Sequence, residues 1–241
     1  MQKIIFEERA VAFIDVLGFK SAVNHATKDS NKLTELEKLI EILSEAVPSL
    51  DGSVDPSVHA ELIPKHIYIS DCIILSAPLT SSKLTNYNGL SVLVMRIIQL
   101  THILLSNGYL IRGGISVGDV WHTESNIVGA AYQEAYSIEQ KAIVPCVKLS
   151  SAAIDHWNTT EGSGNSMCIN YKNCFMVNGL HDYYIQDKSL GAATRAFRNY
   201  TDIVNLNLDE GNHAEPIRYK WWWFKQYLER EIQNNVFISH A

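Results

Sequence analysis

The sequence predicts an α+β fold: a mixed sheet with helices mainly on one face. Three observations predict it. Short strand-like runs alternate with longer segments of helical rhythm, in the order strand, helices, two strands, helix, strand, helix, strand. Hydrophobic residues make up 46% of the 241, enough for a sizeable core. No repeat or composition-biased segment divides the chain, and the length suits one large domain or two small ones.

Each element has its own signal. Residues 9–17 read as a buried strand, and Gly18 then allows a tight turn. Asn31–Val47 is a helix, with Leu33, Leu36, Leu39, Ile40 and Leu43 at helical spacing, and 48–57 (PSLDGSVDPS) is a loop. The runs 66–70 and 72–77 form a hairpin with Ser70–Asp71 at or near its bend. Asn86–Ser106 is a long helix stopped by Asn107–Gly108. Residues 109–122 are a strand with a Gly-Gly interruption, a mark of close backbone approach. A helix follows over 129–142, then a short strand at 144–150, a helix over Ser150–Trp157 and an exposed loop over 158–166. Leu190–Leu208 and Pro216–Asn234 read as helices. Three tryptophans in a row in YKWWWF (219–224) cannot share one helix face. That segment reads as a helix docking onto the sheet or a second subunit, with base stacking the other option.

Composition excludes several function classes. A net charge of −6 without any basic stripe argues against a nucleic-acid surface. The first residues lack a signal-peptide layout. The greasiest stretch, Leu90–Leu105, carries Arg96, Gln99 and His102, so no membrane span and a cytoplasmic location are expected. Cys72, Cys146, Cys168 and Cys174 form no CxxC pair and read as reduced thiols, with a Cys168–Cys174 pairing as the alternative. The nine histidines lack zinc spacing, and neither a Gly-x-Ser-x-Gly elbow nor a P-loop occurs.

Two aspartates carry the chemistry. Asp15 ends an apolar strand where burial disfavours a carboxylate, and Asp71 sits at the hairpin bend. If the first strand lies beside the hairpin, the two converge at one sheet edge. Paired carboxylates repel, so one protonates or both bind a cation, for which Mg²⁺ and Mn²⁺ are suited. The plainer alternative is that Asp15 caps the next helix and Asp71 makes a turn.

Four motifs in order bear on that choice. Phe13-x-Asp15-x-x-Gly18-Phe19 resembles the first metal motif of class III nucleotidyl cyclases, and Ser70-Asp71 before a hydrophobic strand resembles the second, where Gly-Asp is commoner. Arg112-Gly113-Gly114-Ile115-Ser116-Val117-Gly118 is similar to their Arg-x-Gly-Ile-x-x-Gly strand, and Gly129–Glu139 to their dimer-face helix. The resemblance covers about residues 9–155, and within the family it is nearest the bacterial pyrimidine cyclases of the Pycsar anti-phage system.

The resemblance implies a ferredoxin-like core, a head-to-tail homodimer with active sites between subunits, and attack of a ribose 3′-hydroxyl on the α-phosphate with release of pyrophosphate. It implies two Mg²⁺ or Mn²⁺ ions held by Asp15, Asp71 and Val16, the aspartates being catalytic. The backbone N–H groups of Val16, Leu17, Gly18 and Phe19 then cradle the triphosphate. It makes Gln133 and Ile67 substrate contacts; Lys148, at the end of a short strand, reads as a triphosphate contact and Tyr68, beside Ile67, as a base-pocket contact. Residues 1–160 are the cyclase core, and 161–241 a strand and helix extension completing the same domain.

There are departures. Gln133 and Ser137 fall where adenylyl cyclases usually place Asn and Arg, so the usual cationic stabiliser is missing. Ile67 falls where purine-selecting Lys is expected, which argues against adenine. His66 and Tyr68 flank it and are bulky enough to shrink a base pocket, but strand alternation turns them to the opposite face. Arg112 reads as a structural ion pair rather than a phosphate contact, and Glu134 and Glu139 as solvated or subunit-bridging charges. Arg195 and Arg198 are candidates for the missing charge, with no spacing that selects either. The expected protein is a cyclase taking UTP, or CTP, and making a second messenger for a separate effector. A nucleotide-binding or dimerisation module without turnover and a metal-dependent phosphohydrolase are the alternatives.

Overall fold

β1 (Glu7–Val16) runs through the middle of an eight-stranded sheet in a computed structural model that describes residues 3–162, 164–209 and 214–234. The parts of the expected 158–166 loop and 161–241 extension that fall on Ser163, 210–213 and 235–241 lie outside the described residues. β1 pairs antiparallel with β3 (Cys72–Pro78) on one side and β4 (Ile111–His122) on the other. β2 (Lys65–Ile69) closes the hairpin with β3 at one edge, and β5 (Ile127–Gly129) folds back on β4. Past β4 come β6 (Val147–Leu149), in parallel, then β8 (Cys174–Val177) and β7 (Cys168–Tyr171).

Alternation along β1 sorts its side chains between two clusters. Ala10, Ala12, Ile14 and Val16 face the main core, with Ile73 and Leu75 of β3. Three helices cover that face: α2 (Ser30–Gly52), α3 (Gly89–Ser106) and α5 (Ser151–Thr160), supplying among others Leu43, Leu93, Ile97 and Trp157. Each fully buried Leu or Ile contributes roughly 1.5–3 kcal/mol. Val11 and Phe13 face the other side, against Ile67, Ile74 and the alanines Ala131 and Ala135 of α4 (Ala130–Lys141). The Gly-Gly pair does not interrupt β4; it lets neighbours in. A Cβ at Gly114 would stand 2.3 Å from the Ala135 carbonyl oxygen, and one at Gly113 2.4 Å from that of Phe13.

α3 is long and apolar enough by composition to cross a membrane, yet most of it is buried inside the protein, capped by the Asn88 side chain. Its end, at Leu105, also reaches a second cluster. There α6 (Ala192–Asp209) and α7 (Glu215–Asn234) contribute Phe197, Tyr200, Trp221, Trp223 and Phe224, packed with Leu105, Leu110 and Met176. The tryptophan run divides as its helical spacing requires: Trp221 and Trp223 go inward, while Trp222 stays 47% exposed and stacks on Tyr219.

Three local expectations need correction. α2 does not stop at Val47 but runs through Pro48 to Gly52, because Val47 and Leu50 are buried in the core and hold the last turn despite the missing amide. α5 continues past Trp157 to Thr160, shortening the loop. The hairpin β7–β8 escaped notice because its bend is Lys172–Asn173, both at positive φ, rather than a glycine pair. Cys168 and Cys174 are not joined; all four cysteines are free.

Candidate active site

Asp15 is the last inward residue of the Val11–Phe13–Asp15 series, so the alternation that buries Phe13 carries a carboxylate to the strand's end. Its register partners are Cys72 on β3 and Arg112 on β4. Asp71 arrives from the two-residue turn between β2 and β3, where Ser70 takes a left-handed φ of 61°. The Val16 N–H donates to the Asp71 carbonyl at 3.1 Å and ties that turn to β1. Donor atoms of Asp15, Asp71 and Cys72 consequently all lie within 4.8 Å of one another.

The charges there are imbalanced. Arg112 Nε donates to Asp15 Oδ2 at 2.9 Å, and Nη1 to the Ala142 carbonyl at 3.1 Å. The same Nε lies 2.7 Å from Glu139 Oε1. Nε has one proton, so Glu139 Oε1 holds a charge contact there without a hydrogen bond, while Oε2 of this 1% exposed residue accepts from Gln140 Nε2 at 2.7 Å. Burial pushes the Asp15 carboxyl up to about 6; Arg112 pulls it down, while Glu139 and Asp71 push it further up. Burial and the two aspartates likewise raise the Cys72 thiol to about 12. A protonated thiol is a poor ligand for a hard cation, and the two carboxylates are oxygen donors of the kind Mg²⁺ or Mn²⁺ takes.

The turn after β1 is narrower as a cradle than its sequence implies. Val16 and Leu17 spend their N–H groups on the Asp71 and Leu110 carbonyls, so neither is free for phosphate. Gly18, at φ 93°, turns the chain into α1 (Phe19–Ala26), whose first amides have no helical acceptor. The free donors thus begin at Gly18 and Phe19.

Other predicted residues fall in different places. Ile67 is buried on the α4 face with Phe13 and Ile74. Tyr68 lies on the opposite face against the main core, where partial burial and Asp71 raise its pKa. His66 faces Asp51 of α2 at 3.8 Å. Gln133 is exposed on α4. Lys148 is in register with Gly114, on the Asp15 side of the sheet, and its charge lowers the Cys174 pKa. Arg195 pairs with Asp187 at 3.0 Å, and Arg198 is exposed on α6. Glu139 is no solvated charge but a buried one, since α4 presses it onto Arg112; Glu134 accepts from Ser116 Oγ at 2.5 Å. Sequence reasoning missed Lys220 of α7, which shares a cleft with the 17–19 turn. Only its neighbours in YKWWWF, bound to be anchored, marked that segment as one held in place.

The same architecture occurs in solved cyclase domains. The adenylyl cyclase CyaB from P. aeruginosa superposes with a TM-score of 0.50 at 12% identity, over 73% of this chain and 94% of that one. The monomeric guanylyl cyclase domain of the RhoGC fusion protein from the aquatic fungus Blastocladiella emersonii gives 0.50 at 14% identity, over 72% of this chain and 96% of that one. No protein-family model and no curated protein matches the sequence. The fold is that of the class III nucleotidyl cyclase catalytic domain, with a mixed sheet, helices mainly on one face and a C-terminal helical extension.

Proposed function

We propose that this chain is a metal-dependent nucleotidyl cyclase that converts a pyrimidine nucleoside triphosphate, UTP or CTP, to its 3′,5′-cyclic monophosphate and pyrophosphate. The observation that carries the reading is the meeting of Asp15 and Asp71 beside the Gly18 turn, on a cyclase-domain fold. Mg²⁺ or Mn²⁺ held by the two carboxylates, with Val16 as a backbone contact, lowers the pKa of the ribose hydroxyl and offsets phosphate charge. The chain's own groups do the rest. Asp15, whose carboxyl is raised above the ordinary range by burial, would hold the cation as a carboxylate and would then share less of Arg112. Glu139 would keep Arg112 in place. Gly18 and Phe19 orient the phosphates, and Gln133 and Lys148 reach the substrate across a homodimer cleft.

Pyrimidine choice is supported by Ile67, an apolar residue packed in the small cluster where a charged base-reading group would be unpaired. The product serves as a cytoplasmic second messenger for a separate effector in anti-phage defence. Residues 161–241 complete the cyclase domain begun by 1–160, since β8 adds to β6. Incubation with each of the four nucleoside triphosphates and Mn²⁺, followed by mass detection, tests the reading. Cyclic UMP or CMP is expected; cyclic AMP as main product removes the pyrimidine assignment, and no cyclic product removes the enzyme.

A second reading is favoured by Arg112, which already sits on Asp15 as an internal cation. It makes the protein a nucleotide-binding or dimerisation module without turnover. Tight calorimetric binding of a non-cyclisable analogue together with a blank product assay is its signature.

A further inference from the structure

Three carboxylates, Asp15, Asp71 and Glu139, gather at the end of β1, and Arg112 is locked between two of them. A triphosphate brings more negative charge to the same place, so divalent ions alone leave the phosphate chain short of a cation. A cleft of about 770 Å³ opens beside this point, between α1, α2 and the start of α7. Gly18 and Phe19 line it, and so do Lys220 and Trp221. Asp15 attracts the Lys220 ammonium without any ion pair between them among the described residues, and the one carboxylate lining the cleft, Glu35, pairs with Lys32 at 2.9 Å. Its helix is fixed by the buried Trp221, Trp223 and Phe224, so the ammonium is held at the cleft rather than trailing in solvent.

We propose that Lys220 binds the polyphosphate chain of the substrate in this cleft, supplying from the C-terminal helix the positive charge that the α4 helix lacks at Ser137. The inference rests on the cyclase reading and names its phosphate ligand. Electrostatics agree with the geometry. Lys220 feels Asp15 as attraction and Arg112 as repulsion, and partial burial with Arg112 holds its pKa below the usual lysine value. A half-buried ammonium that no close carboxylate neutralises is prepared for an anion. Arg195 and Arg198 are not needed for the role.

The test uses inorganic tripolyphosphate with Mn²⁺, read by the tryptophan fluorescence that Trp221 supplies in the cleft. Lys220→Gln and Lys220→Met, two neutral variants with good helix propensity, weaken tripolyphosphate binding about tenfold or more, and Lys220→Arg stays within about threefold of wild type. Mn²⁺ binding alone, followed by paramagnetic resonance, is unchanged in all three, which a merely structural role for Lys220 does not produce. Equal tripolyphosphate affinity in wild type and the neutral variants overturns the proposal while leaving the cyclase reading intact. Absence of tripolyphosphate binding in wild type overturns both. Binding lost in the neutral variants, with no cyclic product from any triphosphate in wild type, upholds Lys220 as a polyphosphate ligand and removes the cyclase.

Discussion

The end of β1 and the seam between α3 and α6 both bury polar groups, and they treat them oppositely. At the seam, His102 is 4% exposed and fully satisfied. Its Nε2–H donates to the His181 carbonyl at 3.1 Å, since a carbonyl only accepts, and its Nδ1 then accepts from the Tyr200 hydroxyl at 2.9 Å. Nearby, the Tyr227 hydroxyl donates to Asn178 Oδ1 at 2.6 Å and accepts from the Leu180 N–H at 3.3 Å. Burial keeps His102 neutral by pulling its pKa down to about 4. At the end of β1, two carboxylates, Asp15 and Glu139, share one guanidinium with Asp71 close by, and burial pushes the Asp15 carboxyl up to about 6. Polarity that is met by neutral partners holds helices in place. Charge left unmet costs stability and persists where a ligand is to supply the counter-charge.

That contrast can be broken by mutation. Asp71→Asn lowers cyclase turnover at least about a thousandfold while the melting temperature moves little; product assay and thermal unfolding run together check it, and a retained rate detaches Asp71 from the metal. Trp223→Ala, in the second cluster, costs about 3–5 kcal/mol in denaturant unfolding, with the loss read as stability first and activity only as a consequence. Asp15→Asn works in reverse. In metal-free protein at pH 7.5 it raises stability by about 1–2 kcal/mol, since a carboxylate with a raised folded pKa disfavours the native state above that pKa. A lower stability for this variant removes the idea that unmet charge at the site costs stability.

The smallest effect sharpens the comparison through pH. His102 and His122 both have pKa values lowered to about 4, so the unfolded chain binds protons first, and stability falls as pH drops from about 6.5 towards 4. Asp15 has the opposite sign: the native state takes its proton first, so stability rises as pH falls from about 6 to the unfolded value of 3.8. Asp15→Asn therefore steepens the acid loss in a series of melts from pH 7 to 4. An unchanged slope means that Asp15 is not titrating in that window.

Much of this was legible in the chain. The apolar run over 9–17 marked Asp15 as a carboxylate at a buried strand's end, and Ser70–Asp71 between two apolar runs fixed the hairpin bend that delivers Asp71. Gly113–Gly114 announced the close approach that α4 makes. The charge environment was not legible. Glu139 reads as a surface helix residue until α4 is laid on β4, and Lys220 lies far from Asp15 in sequence. The N–H groups of Val16 and Leu17 looked available because nothing local shows that Asp71 and Leu110 carbonyls take them.

By itself the sequence determined most of the helices, the β2–β3 hairpin and the two aspartates, one at a strand's end and one at the hairpin bend. Those follow from periodicity and turn chemistry, which act over a few residues. Tertiary structure alone decided how the carboxylates are charged and which cations stand near them. Desolvation and Coulomb interactions depend on distance and burial, quantities set by segments that meet only after folding.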